Sequence, residues 1–384
     1  MATVKWSDLP EEIWPFIGKF VHSRIDILRF RSACSFWRAS RPLWYQLPFP
    51  LLLPLSSSAF ASERLWRAEL FKSTLYHMES LTDDDGDASV SQPCSWLMKV
   101  EEDPTTGKTR LLDPVTSLPL RYDFNLLDFR VVELRKSYVV KASSTDITAT
   151  VQKVVVMSGS HEHLDNDNVH AVFMVFKKGS LGFVRVGDEK LTNVDEQNSD
   201  YHDIVIYKGQ CYVVDNWGII SWVNSALEVI QFAPPICGSD GQKHLVESCG
   251  DLYVVVKYFA EVAPQGNRTF MYPHQEDEDA EAIDFKVYKL DQEWDKWVDV
   301  KDLGDRVFVL SNDGSFSVST REFAGVKGNC IFFIDQVVSQ LGFSGITKRC
   351  YSCVFSLEDG KIRNLASSQC SQMVRPPSTL LSSN

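Results

Sequence analysis

The chain has 384 residues, with 39 Lys and Arg against 51 Asp and Glu and a formal net charge of −12 at neutral pH. Its hydrophobic fraction of 44% can bury a large core, and its length is typical of about two to three domains. An acidic chain without Lys/Arg clusters argues against a nucleic-acid partner. No run of about 18 consecutive apolar residues occurs, which argues against a membrane span.

The first ten residues, MATVKWSDLP, contain no apolar stretch of the kind that a secretory signal needs. The nine cysteines are an odd number and are scattered along the chain. Both features favour an intracellular protein with reduced thiols, in the nucleus or the cytoplasm, rather than a secreted one.

The charge is unevenly distributed. Residues 1–70 hold nine Lys and Arg against six Asp and Glu, whereas the other 314 residues hold 30 against 45. This asymmetry predicts two differently built regions.

The first region reads as helical. Asp8 and Glu11 have the spacing of a capping box, and apolar residues such as Ile13 and Ile17 follow at helical spacing. An interior proline costs a helix about 3 kcal/mol, so we expect a kink or a helix start near Pro15.

Two more helices are predicted downstream. Ser23 and Asp26 form a second capping box, and Ser35 is placed to cap a third helix that carries Trp37. Three helices in about 40 residues cannot bury all their large side chains among themselves. Some of these side chains must therefore meet the downstream region or another protein: Trp14, Leu28, Trp37 and Trp44.

The segments 9–14 (LPEEIW), 26–34 (DILRFRSAC) and 37–38 (WR) resemble the F-box, and the match covers residues 4–45. The departures are Pro15 inside the first helix and Ala33 in place of the usual Val. The resemblance implies docking onto a Skp-type adaptor of a cullin–RING ubiquitin ligase. It implies the following adaptor-binding residues: Leu9, Pro10, Ile13, Ile17, Leu28, Cys34 and Trp37. The alternative is a small helical cap that packs only on its own chain.

Residues 46–93 are expected to form a linker. Ser56 to Glu79 has apolar residues roughly on one helical face and is predicted to be helical, and 81–93 is a polar loop.

From residue 94 the sequence consists of short, repeating runs that are rich in β-forming residues. Turn glycines at Gly209, Gly250 and Gly328 each precede a strand-like run, at spacings of 41 and 78 residues, and a similar run follows Asn168. A unit of about 40 residues with four strands is the size of a propeller blade. We therefore predict an α+β multidomain protein, with six or seven blades in residues 94–370 and a flexible tail at 371–384. The alternative is an irregular β-sandwich.

Three β segments extend the resemblance: Trp96–Val100, Arg110–Thr116 and Tyr201–Gly209 are similar to plant F-box proteins with a KIB-type C-terminal domain. Ser117 stands where that family usually has a turn glycine. The family implies a propeller-like domain that recognises protein substrates.

The sequence contains only weak candidates for a metal site. His161 and His163 lie in a loop rich in Ser, Gly, Asn and Asp, and the Cys350–Cys353 pair has no second pair to complete a zinc site. We therefore predict no metal, no cofactor and no structural disulfide. The acidic run 275–281 is interpreted as a solvated loop, with a docking site for a basic partner as the alternative.

The sequence thus predicts the substrate-recognition subunit of an SCF-type (Skp–cullin–F-box) ubiquitin ligase, not an enzyme, with an unidentified protein substrate. The competing hypothesis is an interaction scaffold that recruits no ligase. A third hypothesis, an enzyme built on the propeller, would need acidic groups or histidines converging in its channel.

If head and body are separate modules, residues 94–384 are predicted to fold without residues 1–45.

Overall fold

A computed structural model describes the chain over residues 10, 12–21, 24–40, 50–55, 66–80, 94–102, 109–121, 128–142, 151–157, 171–195, 197, 200–236, 240–260, 282–291, 293, 296–323, 325–340 and 346–376. Several predicted features lie outside these ranges: Asp8, Leu9, Glu11, Ser23, Trp44, the loop 81–93, the two histidines at 161 and 163, and the acidic run 275–281.

The described part of the head contains three short helices: α1 (Ile13–Lys19), α2 (Arg24–Ala33) and α3 (Ser35–Ser40). Pro15 lies in the first turn of α1, where its missing N–H would have no partner in the helix, so the expected start near Pro15 is confirmed. The helices are held together by an aromatic cluster, in which the ring centroids of Trp14 and Trp37 are 4.2 Å apart and those of Phe30 and Trp37 are 4.7 Å apart.

Within the described residues, the body is a β-propeller of five sheets, here called blades 1 to 5. Blade 1 comprises β1 (Leu51–Leu55), β2 (Trp66–Ser80), β3 (Ser95–Glu102), β4 (Thr109–Leu112) and β5 (Phe129–Ala142). Blade 2 comprises β6 (Val151–Met157), β7 (Ala171–Phe176), β8 (Leu181–Arg185) and β9 (Thr192–Asn193). Blade 3 comprises β10 (Tyr201–Tyr207), β11 (Gln210–Asp215), β12 (Ile220–Val223) and β13 (Val229–Ala233).

The remaining strands form two blades. Blade 4 comprises β14 (Gln242–Ser248), β15 (Asp251–Phe259), β16 (Ala282–Asp291) and β17 (Lys296–Val300). Blade 5 comprises β18 (Arg306–Ser311), β19 (Gly314–Ser319), β20 (Cys330–Gln340), β21 (Ile346–Ser356) and β22 (Lys361–Asn364). Short 3-10 helices follow at Thr320–Glu322, Leu365–Ser367 and Gln369–Met373.

The predicted blade number of six or seven is wrong, because the 40-residue spacing holds only in the middle of the ring. The runs after Asn168, Gly209 and Gly250 are the second strands of blades 2, 3 and 4, as the repeat requires. The run after Gly328 is instead the third strand of blade 5, where β20 pairs in parallel with β18. Blade 1 is also longer than the repeat, since it spans residues 51–142.

The predicted helix over residues 56–79 is wrong where the structure describes it. Residues 66–80 form β2, a 15-residue strand that pairs with β5 along one edge and with β1 and β3 along the other. Most of its side chains from Ala68 to Met78 are buried, which explains why no solvent-facing period is visible in the sequence.

The prediction of a flexible tail from residue 371 is wrong for residues 371–376, which the structure describes. Met373 and Val374 are buried and share a hydrophobic cluster with Leu75 and Leu97 of blade 1 and with residues of blade 5. The C-terminal segment therefore helps to hold the two ends of the ring together.

The head is docked onto blade 1. Ile25 of α2 is 6% exposed and packs in a cluster with Met78, Trp96 and Phe129. The Arg29 guanidinium donates a hydrogen bond to the main-chain carbonyl of Phe129.

Within the described ranges, none of the helices is both long and apolar enough to cross a membrane.

Candidate functional site

One side of α1 presents apolar side chains to solvent. Ile13, Phe16 and Phe20 follow each other at helical spacing and are 39%, 60% and 66% exposed. Trp14 and Gly18, on the other side of the same helix, are buried. Among the described residues, the head therefore packs mainly against the side of α1 that carries Trp14 and Gly18.

Exposed apolar side chains continue on the next two helices. Leu28 is 43% exposed, although its α2 neighbours Ile27 and Phe30 are buried, and Phe36 of α3 is 37% exposed. We call the following set the exposed head residues: Ile13, Phe16, Phe20, Leu28 and Phe36. Large apolar side chains grouped on a small domain are typical of a protein-interaction site.

The predicted adaptor-binding residues divide into two groups. Pro10, Ile13 and Leu28 are exposed, and Ile17 is partly buried, while Leu9 lies outside the described residues. Cys34 is also exposed and contacts Trp37. Trp37 is partly buried in the aromatic cluster, and the Cys34 sulfur accepts a hydrogen bond from the main-chain N–H of Trp37 at 3.4 Å.

Sequence reasoning missed Phe16 and Phe36 and did not assign Phe20 to the interface. The spacing of Phe16 and Phe20 from Ile13 was a usable signal, because residues three and seven positions on share a helical face.

The second candidate site is the central channel of the propeller. Strands β5, β6, β10, β14 and β19, one from each blade, line a cavity of about 680 Å³. The charged side chains on its wall include Arg135, Lys136, Glu247, Arg306 and Asp313.

A network of buried charges lies beside this cavity, and Asp313 joins the network to the cavity wall. Lys99 of blade 1 makes an ion pair with Asp313 of blade 5, and the Lys153 Nζ of blade 2 lies 2.6 Å from the Asp203 Oδ1 of blade 3. The Lys153 Nζ also donates to the Ser315 Oγ at 3.2 Å.

Asp203 extends the network to blade 4. Its second carboxylate oxygen accepts a hydrogen bond from the main-chain N–H of Leu245 at 2.8 Å. All five blades therefore contribute to one polar network at the ring centre, which fixes the blades relative to each other.

Burial and pairing act on these groups in opposite directions. Burial lowers the pKa of Lys99 and of Lys153, because the charged form loses water, and the paired carboxylates partly restore it. Burial alone would raise the pKa of Asp313, but the Lys99 ammonium and a hydrogen bond from the Ser311 hydroxyl hold it below its ordinary value.

This network was not predicted from the sequence. The available signal was a single charged residue inside each apolar strand: Lys99 in SWLMKV, Lys153 in VQKVVVM and Asp203 in YHDIVIY. Buried charges of opposite sign on neighbouring elements are expected to pair, but the sequence does not reveal which strands meet at the ring centre.

Other polar side chains line the upper part of the cavity. The Ser248 and Ser317 hydroxyls lie 2.8 Å apart, and the Arg306 Nη2 donates to the Cys249 sulfur at 2.8 Å. The His77 Nδ1 is 3.3 Å from a Glu322 carboxylate oxygen. Burial lowers the pKa of His77, which favours the neutral imidazole at neutral pH.

The described residues include no group of three or more His, Cys, Asp or Glu placed to hold a metal ion. Cys353 is buried in strand β21, which also contains Cys350.

Comparison with known proteins identifies the class of this architecture. The profile of the KIB1-4 beta-propeller family matches residues 69–356, which include the described strands from β3 to β20. The chain is 33% identical over 350 residues to the putative F-box protein At1g65770 of Arabidopsis thaliana, covering 87% of this chain and 90% of that one.

Two further Arabidopsis thaliana relatives match over nearly their full length. The probable F-box protein At1g65740 is 30% identical, covering 92% of this chain and 98% of that one. The F-box protein SKIP23 is 29% identical, covering 94% of this chain and 91% of that one. The chain belongs to the plant F-box proteins with a KIB1-4 beta-propeller, and the resemblance seen in its sequence is confirmed.

Proposed function

We propose that the protein is the substrate-recognition subunit of an SCF-type E3 ubiquitin ligase. Its head would dock onto a Skp-type adaptor and, through it, onto a cullin–RING ligase, while the propeller would bind the protein to be ubiquitylated. The observation that supports the proposal is the set of exposed head residues, which lie within the segment 4–45 that resembles an F-box and which are 37–66% exposed among the described residues.

Burial of these side chains would supply the binding energy. Large apolar anchors at the centre of an interface typically contribute about 2 kcal/mol or more each. Ile13, Phe16 and Phe20 lie on one face of α1 and Leu28 lies on the next helix, so a partner groove could cover several anchors at once.

The docking of the head onto blade 1 supports a role in positioning. Ile25 and Arg29 both contact blade 1, so α2 is fixed at two points to the domain that would hold the substrate. A target bound to the propeller would then sit at a defined place relative to the adaptor. Ubiquitin transfer itself would be carried out by the ligase partners, and the protein would act inside the cell, in the nucleus or the cytoplasm.

The adaptor interface can be tested with an Ile13→Ala/Leu28→Ala double variant. Both side chains are partly exposed, so the full-length variant should fold and melt as the wild type does. Co-purification with a Skp-type adaptor should be lost. The matched control is Leu118→Ala, since Leu118 is a 55% exposed leucine on blade 1 that should not affect adaptor binding.

The packing of Ile25 into the cluster with Trp96 and Phe129 also supports the competing hypothesis of a scaffold whose head is only a cap on blade 1. Under that hypothesis the double variant and the wild type would both fail to co-purify with an adaptor. Full-strength adaptor binding by the double variant would contradict the assigned interface.

A further inference from the structure

Arg135 and Asp313 both lie on the cavity wall. Behind the wall, Lys99 makes an ion pair with Asp313 and Lys153 makes one with Asp203. Each lysine is paired with one of the two carboxylates, whereas no described carboxylate lies within 4 Å of the Arg135 guanidinium. Asp313, Asp203 and Glu247 attract the Arg135 charge from a distance, but none of them contacts the guanidinium, so its remaining donors favour an anion placed directly beside it.

The Arg135 guanidinium is fixed but not saturated. It donates to the main-chain carbonyl of Ser315, and its central carbon lies 5.7 Å from the centre of the Phe316 ring. A guanidinium carries five N–H donors, and that single bond to Ser315 leaves most of them unused among the described residues. Arg135 is partly buried and belongs to the cavity wall, so free donors can meet a ligand inside the channel.

The rest of the cavity suits an apolar body. Its wall includes apolar side chains from four blades: Leu134, Val154, Val156, Ile206 and Phe316. Its volume of about 680 Å³ lies within the range of about 300–1,000 Å³ typical of pockets for small organic molecules.

We propose that the channel binds a small organic monoanion, with its carboxylate on the Arg135 guanidinium and its apolar body against the aliphatic wall. A carboxylate matches the guanidinium because two parallel N–H donors can bind its two oxygens. Glu247 also faces the cavity and would repel a second negative charge, which selects a monoanion over a dianion. This site is independent of adaptor binding.

The test uses isothermal titration of the full-length protein with 4-phenylbutyrate and with its uncharged analogue 4-phenylbutyramide. The two probes share the apolar body and differ in charge. We expect the carboxylate to bind about tenfold or more tightly than the amide, which corresponds to about 1.4 kcal/mol. Equal affinity for the two probes would overturn the assignment of an anion site, and no binding of either at millimolar concentration would overturn the ligand site altogether.

Arg135→Gln should abolish the preference for the carboxylate. The matched control is Arg130→Gln on the same strand, since Arg130 is exposed and its Nη1 lies 3.3 Å from a Glu79 carboxylate oxygen. Carboxylate binding that persists in a folded Arg135→Gln variant would contradict the proposal.

Leu134→Trp serves as a second variant that leaves Arg135 and the buried ion pairs in place. Leu134 is 41% exposed and lines the cavity, so the larger indole should fill space there without removing a buried group. Binding of both probes should weaken. Unchanged binding of both would place the ligand outside the channel and would refute the site even if Arg135→Gln failed to fold.

Discussion

The main-chain N–H of Lys243 donates a hydrogen bond to Nδ1 of His202 at 3.2 Å, which joins the first strands of blades 3 and 4. The acceptor is the imidazole nitrogen without a proton, so this contact requires a neutral histidine. Burial, and to a lesser degree the charge of Lys243, lowers the pKa of His202 to about 4.

The low pKa of His202 predicts acid sensitivity below neutral pH. In the unfolded chain His202 takes up a proton near pH 6.5, whereas in the folded chain it does so only near pH 4. Its contribution to the free energy of unfolding is therefore fully present above pH 6.5 and is lost as the pH drops towards 4. At pH 5, protonation of His202 in the unfolded chain should by itself lower the free energy of unfolding by about 2 kcal/mol relative to neutral pH. Urea denaturation at pH 7.5 and pH 5 measures this loss.

The control for this prediction is His202→Asn, because the amide oxygen can accept the same hydrogen bond without titrating. The variant should lose less stability than the wild type between pH 7.5 and pH 5. The same pH dependence in both proteins would exclude His202 as the source. His244, whose pKa burial lowers well below its ordinary value, would then be the next histidine to change.

Removing one partner of the channel ion pair should destabilise the ring. Asp313→Asn leaves the Lys99 ammonium buried without a counter-charge, and the loss is expected to be about 3–5 kcal/mol. Asp359→Asn breaks a pair with Arg363 on the surface of blade 5 and should leave the melting temperature nearly unchanged. Similar melting temperatures for the two variants would refute a structural role for the network.

Gly314 should not tolerate a side chain. Its φ of +140° is a conformation that other residues rarely adopt, and a Cβ there would collide with the Arg135 guanidinium. Gly314→Ala is expected to cost about 1–3 kcal/mol. The comparison is Gly304→Ala, where φ is +61° but open space surrounds the added atom, so the loss should be smaller. An equal loss would show that the contact with Arg135 contributes nothing.

The pairing of β2 determines how far the chain can be truncated from its N-terminus without unfolding the propeller. A fragment of residues 94–384 lacks β1 and β2, and β2 is the strand that pairs with both β3 and β5. Contrary to the expectation from the sequence, this fragment should not melt cooperatively, whereas residues 46–384 should. Circular dichroism during heating measures both. Cooperative melting of the shorter fragment would show that β1 and β2 are dispensable for folding.

The local features of the middle blades could be predicted because short-range chemistry determines them. Lys208 and Gly209 both have positive φ and form the two-residue turn between β10 and β11, as their sequence indicates. The strand positions in blades 2 to 4 repeat because each blade there is a simple antiparallel sheet.

The features that the sequence did not reveal depend on long-range pairing. Strand β2 contains helix-forming residues such as Ala68, Glu69 and Leu70, and only its pairing on both edges makes it a strand. The exposure of Phe16 and the meeting of Arg135 with Ser315 likewise depend on which elements pack together in the folded chain.

The burial of Met373 and Val374 beside Leu75 and Leu97 has a consequence for how the protein is made. Blade 1 leaves the ribosome early, but the apolar face that it turns towards blade 5 is not fully covered until residue 374 has been synthesised. A chain that terminates early, in blade 5 or before it, would keep this face exposed beside an intact head. We expect such a product to be retained by chaperones rather than to compete with the full-length protein for its partners.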